Sequence, residues 1–233
     1  MSNAHIRMIV AVAEKLGDEL LQEVVLVGGC ATSLLLTSDV ALSDVRHTED
    51  VDLIVHVVGL GQWYALQRKL ERRGFRQSDG VEDAPVCAMM CGEVRVDFMP
   101  DDPAILGFSN RWYGEAVATA LERDVQGHRV RLVSPAYFVA TKLEAYKGRG
   151  GGDMLASRDI EDLVVLFGGR TPLMTELGAA SLALRAYLAE AIGGLLMESD
   201  LKYAVLGSVG GDRIRAERVE RRLKNIGSSV FDD

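Results

Sequence analysis

Apolar positions along the first half of the chain follow two alternating periods. Ile9, Val12, Leu16 and Leu20 fall at helical spacing, so a first helix is expected over His5 to Leu21. Glu23 to Val27 (EVVLV) is a β-branched run stopping at Gly28-Gly29, the pattern of a buried strand followed by a tight turn. Ala31 to Leu36 opens a second helix, and Thr37 to Glu49 is polar without a period, which predicts a loop. Val51 to Val58 (VDLIVHVV) carries the strongest strand pattern in the chain. A helix from Leu60 to Arg73 closes at Gly74, a residue suited to the left-handed position after a helix. Val86 to Met90 and Val94 to Met99 pair as a hairpin through Gly92-Glu93, and Gly127 divides a second hairpin within Asp124 to Leu132.

The pattern changes after Ser134-Pro135, an N-cap followed by a proline at the first helical position. From there the chain reads as helices, broken at Gly148 to Gly152, at Gly168 to Pro172 and near Gly207 to Gly211. The expected architecture is α+β: a mixed sheet with flanking helices over residues 1–133, then a helical region over residues 134–233.

Composition narrows the class. The 233 residues are 48% hydrophobic and 26% charged, ordinary values for a soluble protein with a core. No apolar run approaches the roughly 18 residues of a membrane span. Met1 to Gly17 lacks the basic start and cleavage site of a secretory signal, and Ser2-Asn3-Ala4 carries no structural meaning. Cys30, Cys87 and Cys91 form no disulfide framework, and Cys87 and Cys91 lie in the apolar run APVCAMMCG as buried thiols. A cytoplasmic protein is the expectation. A net charge of −8 argues against coating nucleic acid by bulk electrostatics. Two local basic segments, Gln67 to Arg76 and Arg213 to Lys224, are either solvated helix faces or partner surfaces.

The candidate chemistry centres on Thr48-Glu49-Asp50-Val51-Asp52-Leu53. Residues two apart on a strand share a face, so Asp50 and Asp52 project together while Val51 and Leu53 face the core. Two like charges held side by side repel and resist desolvation, an arrangement that a cation relieves. Mg²⁺ suits such a pair, because it takes a few carboxylates together with water and phosphate oxygens. Gly28-Gly29 stands between a strand and a helix, where backbone can approach closely and a helix N-terminus favours phosphate. Ser33 adds a hydroxyl one turn into that helix, or is a helix-surface serine. In Val94 to Met99 (VRVDFM), Asp97 becomes a third carboxylate if its strand lies beside that of Asp50. Three carboxylates can hold two ions for in-line phosphoryl transfer, with Asp97 placed to accept the acceptor's proton. The four histidines give little: His47 lies near the aspartates, and His56 follows along their strand.

A glycine pair at a strand end, a later T-x-D-x-D-L strand and a downstream strand with one aspartate resemble the DNA polymerase β-type nucleotidyltransferase superfamily. The segment from Cys30 to Glu49 is longer than that family's usual spacing, which a loop insertion at Ser38 to Val45 would explain. Ser134-Pro135, Lys142-Leu143-Glu144-Ala145, Arg149 and Ser157-Arg158-Asp159-Ile160-Glu161-Asp162-Leu163 are similar to the AbiEii-like members, many of them toxins of bacterial toxin–antitoxin pairs. Arg46 and Thr48 fit the same family's approach to its aspartates. The resemblance covers roughly Val24 to Gly169. It implies the nucleotidyltransferase fold, with the helical region completing a nucleotide site.

The implied activity is Mg²⁺-dependent transfer of a nucleoside monophosphate from an NTP, such as ATP or CTP, to an acceptor. Asp50, Asp52 and Asp97 would hold the metal. Gly28, Gly29 and Ser33 would meet the nucleotide, and Lys142 would meet its phosphates. Asp159 and Asp162, three apart on a helix, share a face, and either can be the acid partnering Lys142, with Asp159 slightly favoured. A surface ion-pair network is the alternative for these three. The implied acceptors are RNA, including tRNA 3′ ends, or protein, and an antitoxin would be a partner. A small-molecule acceptor, as in antibiotic-modifying enzymes, or a non-catalytic nucleotide-binding relative are the other readings. If RNA is the acceptor, one of the two basic helices is expected to line its approach, with Arg218 and Arg222 as the residues to test.

Overall fold

The apolar periods resolve into a sheet-centred unit and a helical unit. The computed structural model describes residues 3–78, 85–149 and 152–231, so Gly150 and Gly151 of the expected glycine break, and Ala84 of the cysteine-bearing run, lie outside the described residues. One unit comprises the chain up to Ala31 together with His47–Ser134; the other comprises Thr32–Arg46 together with the chain from Pro135 onward.

In the sheet unit the chain begins with helix α1 (Asn3–Leu21), whose residues Ile9, Val12, Leu16 and Leu20 are buried, and which Gly17 kinks with φ 67°. Strand β1 (Val24–Val27) is buried throughout and runs straight into helix α2 (Gly28–Leu35). The glycine pair is therefore the first turn of the helix and not a separate tight turn, with Gly28 taking a left-handed φ of 72°. Strand β2 (Asp50–Val55) starts one residue earlier than its alternation predicts and stops three residues sooner. It stops because the Val57 N–H donates to Asp101 Oδ1 and leaves the ladder. Helix α3 (Gly59–Arg72) closes through Gly74 at φ 87°.

Beyond α3, strand β3 (Arg76–Gln77) is too short to leave a period in the sequence. Strands β4 (Ala88–Cys91) and β5 (Val94–Pro100) form the expected hairpin, with Gly92 at φ 63°. Two short helices absent from the sequence reading follow, α4 (Pro103–Leu106), capped by Asp102 and closed by Gly107, and α5 (Tyr113–Ala118). Strands β6 (Leu121–Val125) and β7 (His128–Leu132) turn at Gln126-Gly127, both at positive φ. Among the described residues seven strands form one sheet in the order β3-β4-β5-β2-β1-β7-β6. Most neighbours are antiparallel; β2–β5 and β1–β7 are parallel. Helix α1 packs on the sheet, and Phe75 meets Phe98 edge-to-face at 5.5 Å in the core.

In the helical unit, the expected loop over Thr37 to Glu49 contains a 3₁₀ turn at Val40–Asp44 with Ala41 buried. Helix α6 (Pro135–Gly148) starts at the predicted proline and is buried from Pro135 through Leu143. After a second 3₁₀ turn (Met154–Ala156), Ser157 caps helix α7 (Arg158–Gly169) by accepting from the Ile160 N–H. Gly168 and Gly169 are the last two residues of this helix, so the expected break over Gly168 to Pro172 falls where it was read, between α7 and the next helix. A side chain on Gly169 would meet Leu36 and Ala41, so its absence lets the 3₁₀ segment pack there. Helices α8 (Leu173–Gly178), α9 (Leu182–Leu195), α10 (Leu201–Ser208) and α11 (Arg213–Gly227) complete the unit, with Gly210 and Gly211 at positive φ dividing the last two. No described helix is long and apolar enough to cross a membrane.

Candidate functional site

Period-two geometry and strand pairing act together at the head of β2. Val51 and Leu53 are buried, which turns Asp50 and Asp52 to the opposite face. The parallel β2–β5 ladder sets Asp52 opposite Asp97 and Asp50 opposite Arg95. Asp50, Asp52 and Asp97 offer carboxylate oxygens that all lie within 4.8 Å of one another.

Arg95 supplies the cluster with a built-in counter-charge, which the sequence reading missed. Arg95 donates to Asp50 Oδ2, and its Nε lies 3.2 Å from Asp97 Oδ1 without the alignment of a hydrogen bond. The alternation of VRVDFM held the clue, because Arg95 and Asp97 are two apart on one strand. Burial works against the Arg95 charge, but Asp97, Asp50 and Asp52 outweigh it and hold the pKa above the ordinary arginine value. Thr48 donates to Asp50 Oδ1, and the Cys30 thiol donates to the Asp50 carbonyl at 3.1 Å.

Asp97 is the most buried carboxylate of the three, at 7% exposure. Burial pushes its carboxyl up; Arg95 pulls it back in part, Asp50 adds repulsion, and the result is about 6. Burial also pushes the neighbouring Cys87 thiol up to about 12, with Asp97 reinforcing it, so Cys87 stays a neutral thiol. All three cysteines are buried thiols outside any disulfide, as expected for Cys87 and Cys91.

Gly28 stands against Asp52. A Cβ there would overlap the Asp52 carboxylate, and φ 72° disfavours any side chain. The glycine thus admits the carboxylate against the start of α2. Gly29 follows it in the same helical turn, whereas Ser33 is buried in α2, which overturns its reading as a helix-surface serine.

The donor set of the aspartate cluster is all oxygen, and three carboxylates against one guanidinium leave a formal excess of negative charge. That set fits a hard divalent cation and can hold a metal ion.

The helical unit has a second ionic cluster. Ser157 starts α7 so that Asp159 and Asp162 share a face, and both reach Lys142 of α6: Asp159 Oδ1 at 3.2 Å and Asp162 Oδ2 at 2.6 Å. The sequence left the choice of acid open with a lean to Asp159; here Lys142 is shared. Arg46 reaches Asp162 at 3.2 Å, and Arg149 binds Asp159. Lys142, Asp159 and Asp162 are buried, so the alternative of a surface network is corrected to a buried one. Just past the end of β2 opposite the aspartates, His56 Nδ1 lies 2.6 Å from Asp101 Oδ2.

Of the two basic segments, α3 keeps Arg68, Arg72 and Arg73 at its surface while Lys69 reaches Glu23 at 3.3 Å. On α11, Arg222 is buried and donates to the Phe167 carbonyl at 2.7 Å. It is therefore a structural residue, unsuited to the charge-reversal test suggested by its sequence.

A solved structure shares this architecture. The crystal structure of an antigenic nucleotidyltransferase-like protein from Paracoccidioides brasiliensis matches with a TM-score of 0.51 and 22% sequence identity, covering 88% of this chain and 94% of that one. No protein-family profile and no curated protein sequence matches the chain. At that identity the likeness speaks to architecture. The chain has the nucleotidyltransferase fold, with a mixed sheet, flanking helices and a helical C-terminal part.

Proposed function

We propose that the chain is a Mg²⁺-dependent nucleotidyltransferase that moves a nucleoside monophosphate from an NTP to an acceptor. The observation that carries this reading is the register of β2 on β5, which gathers Asp50, Asp52 and Asp97 on a nucleotidyltransferase fold. The three aspartates would hold Mg²⁺, which when bound neutralises phosphate oxygens and lowers the pKa of the attacking hydroxyl. Thr48 fixes one oxygen of Asp50, and Gly28 clears the approach of Asp52. Asp97, with its carboxyl raised to about 6, accepts the acceptor's proton. The acceptor oxygen then bonds to the α-phosphorus, the bond from that phosphorus to the bridging oxygen breaks, and pyrophosphate leaves. Lys142 is held by Asp159 and Asp162 in the helical unit, and a phosphate-binding role for it rests on the AbiEii-like resemblance alone.

The finer reading is a toxin-type, AbiEii-like enzyme with RNA or protein as acceptor and an antitoxin as partner. It is supported by the Ser134-Pro135, Lys142 to Ala145 and Ser157 to Leu163 segments. Incubation with each α-labelled NTP, Mg²⁺ and total RNA tests both levels. Label is expected on RNA or on protein, and Asp50→Ala should abolish it. Absence of both Mg²⁺-dependent NTP binding and label transfer in the unmutated chain would sink the proposal.

A further inference from the structure

Helix α11 presents three arginines to a recess of about 410 Å³ in the helical unit. Arg218, Arg221 and Arg222 stand at helical spacings of three and four, so one face of the helix carries all three. Ser38, Thr171 and the Gly168-Gly169 end of α7 form the rest of its wall.

The arginines are not equivalent. Arg222 is buried, and its guanidinium donates to the carbonyls of Phe167 at 2.7 Å, Arg170 at 3.0 Å and Thr171 at 3.3 Å. Carbonyls at a helix C-terminus lack intrahelical partners and carry the negative end of the dipole. Arg222 offsets that charge, so the end of α7 does not repel an anion in the recess. Arg218 and Arg221 are exposed, and among the described residues no ion pair engages either. Elsewhere on the helix Arg215 pairs with Asp44, Glu220 lies 3.8 Å from Lys224, and Glu217 is exposed beside Arg218. On a chain of net charge −8, the residues lining this recess include three arginines and no carboxylate.

We propose that the recess binds a phosphate group, with Arg218 and Arg221 as its ligands, Arg222 as its charged floor and the Ser38 hydroxyl as a further donor. Guanidinium forks match phosphate oxygens in pairs, and two forks with a hydroxyl suit a tetrahedral multiply charged oxyanion better than a planar carboxylate. The volume exceeds that of a lone ion, so the phosphate belongs to a larger group, either a nucleotide-sized polyphosphate or a diester in a strand. The site stands independently of the chemistry proposed for the aspartates.

The test is calorimetric titration of the full chain in EDTA at low salt with pyrophosphate, succinate and a single-stranded hexanucleotide. Arg218→Gln/Arg221→Gln should weaken phosphate binding about tenfold or more and flatten its salt dependence. Asp50→Asn/Asp52→Asn should leave it unchanged. Tight pyrophosphate binding identifies a small polyphosphate; hexanucleotide binding lost in the arginine variant identifies a strand diester. The proposal is overturned if neither phosphate probe saturates, if the arginine variant binds as the parent does, or if succinate binds as well as pyrophosphate.

Discussion

The two ionic clusters use similar residues and reach opposite balances. Around Asp97 three carboxylates face one guanidinium, and burial lifts one carboxyl to about 6. Around Lys142 two buried carboxylates face a lysine and two arginines, Arg46 and Arg149. The first is unfavourable by itself and gains from an added cation. The second is satisfied within its own unit, and its removal would strand charge. A residue's charge alone does not reveal whether it serves stability or ligand binding; the local charge sum does.

The largest effect expected from breaking this contrast is on activity. Asp52→Asn should lower nucleotidyl transfer by about a thousandfold or more, the scale of removing a group that stabilises transition-state charge, while leaving the melting temperature unchanged or higher. Label transfer and thermal melting together check it, and a large drop in melting temperature would make Asp52 a structural residue. The opposite outcome is expected in the helical unit. Lys142→Met leaves Asp159 and Asp162 buried with fewer partners and should destabilise by about 3–5 kcal/mol in urea unfolding. Gly28→Ala should cost about 1–3 kcal/mol from a side chain at positive φ against a carboxylate. It should also weaken metal binding, measured by Mn²⁺ titration.

The smallest effect is on pH dependence. The Asp97 carboxyl is raised from 3.8 to about 6, so the folded state holds its proton longer than the unfolded state. Stability of the metal-free protein should therefore fall as pH rises from about 4 to 6, by no more than roughly 3 kcal/mol. Asp97→Asn should lack that slope in urea melts between pH 4.5 and 7.5. Metal affinity runs the other way: it should fall by up to about tenfold per unit below pH 6, because the ion displaces the proton.

Much of this was legible along the chain. Alternation fixes Asp50 with Asp52 and Arg95 with Asp97, because side chains two apart on any strand share a face. Helical spacing fixes Asp159 with Asp162 in the same way. Other features were hidden for physical reasons. Strand β3 is too short to have a period, and β2 ends early because Asp101 takes the Val57 N–H. The burial of Arg222 also defied the pattern, since its partners are carbonyls more than 50 residues away in the chain.

The sequence alone determined which side chains share a face, because that depends on local backbone geometry, and it identified Asp50, Asp52, Asp97 and Lys142 as candidates. Only the tertiary structure decided what meets those faces. The parallel register setting Asp52 opposite Asp97, the guanidinium of Arg95 between carboxylates, and the sharing of Lys142 by two acids all join residues across the fold. Long-range pairing is chosen by the burial and hydrogen bonding of the whole sheet and helix set. No local period encodes it.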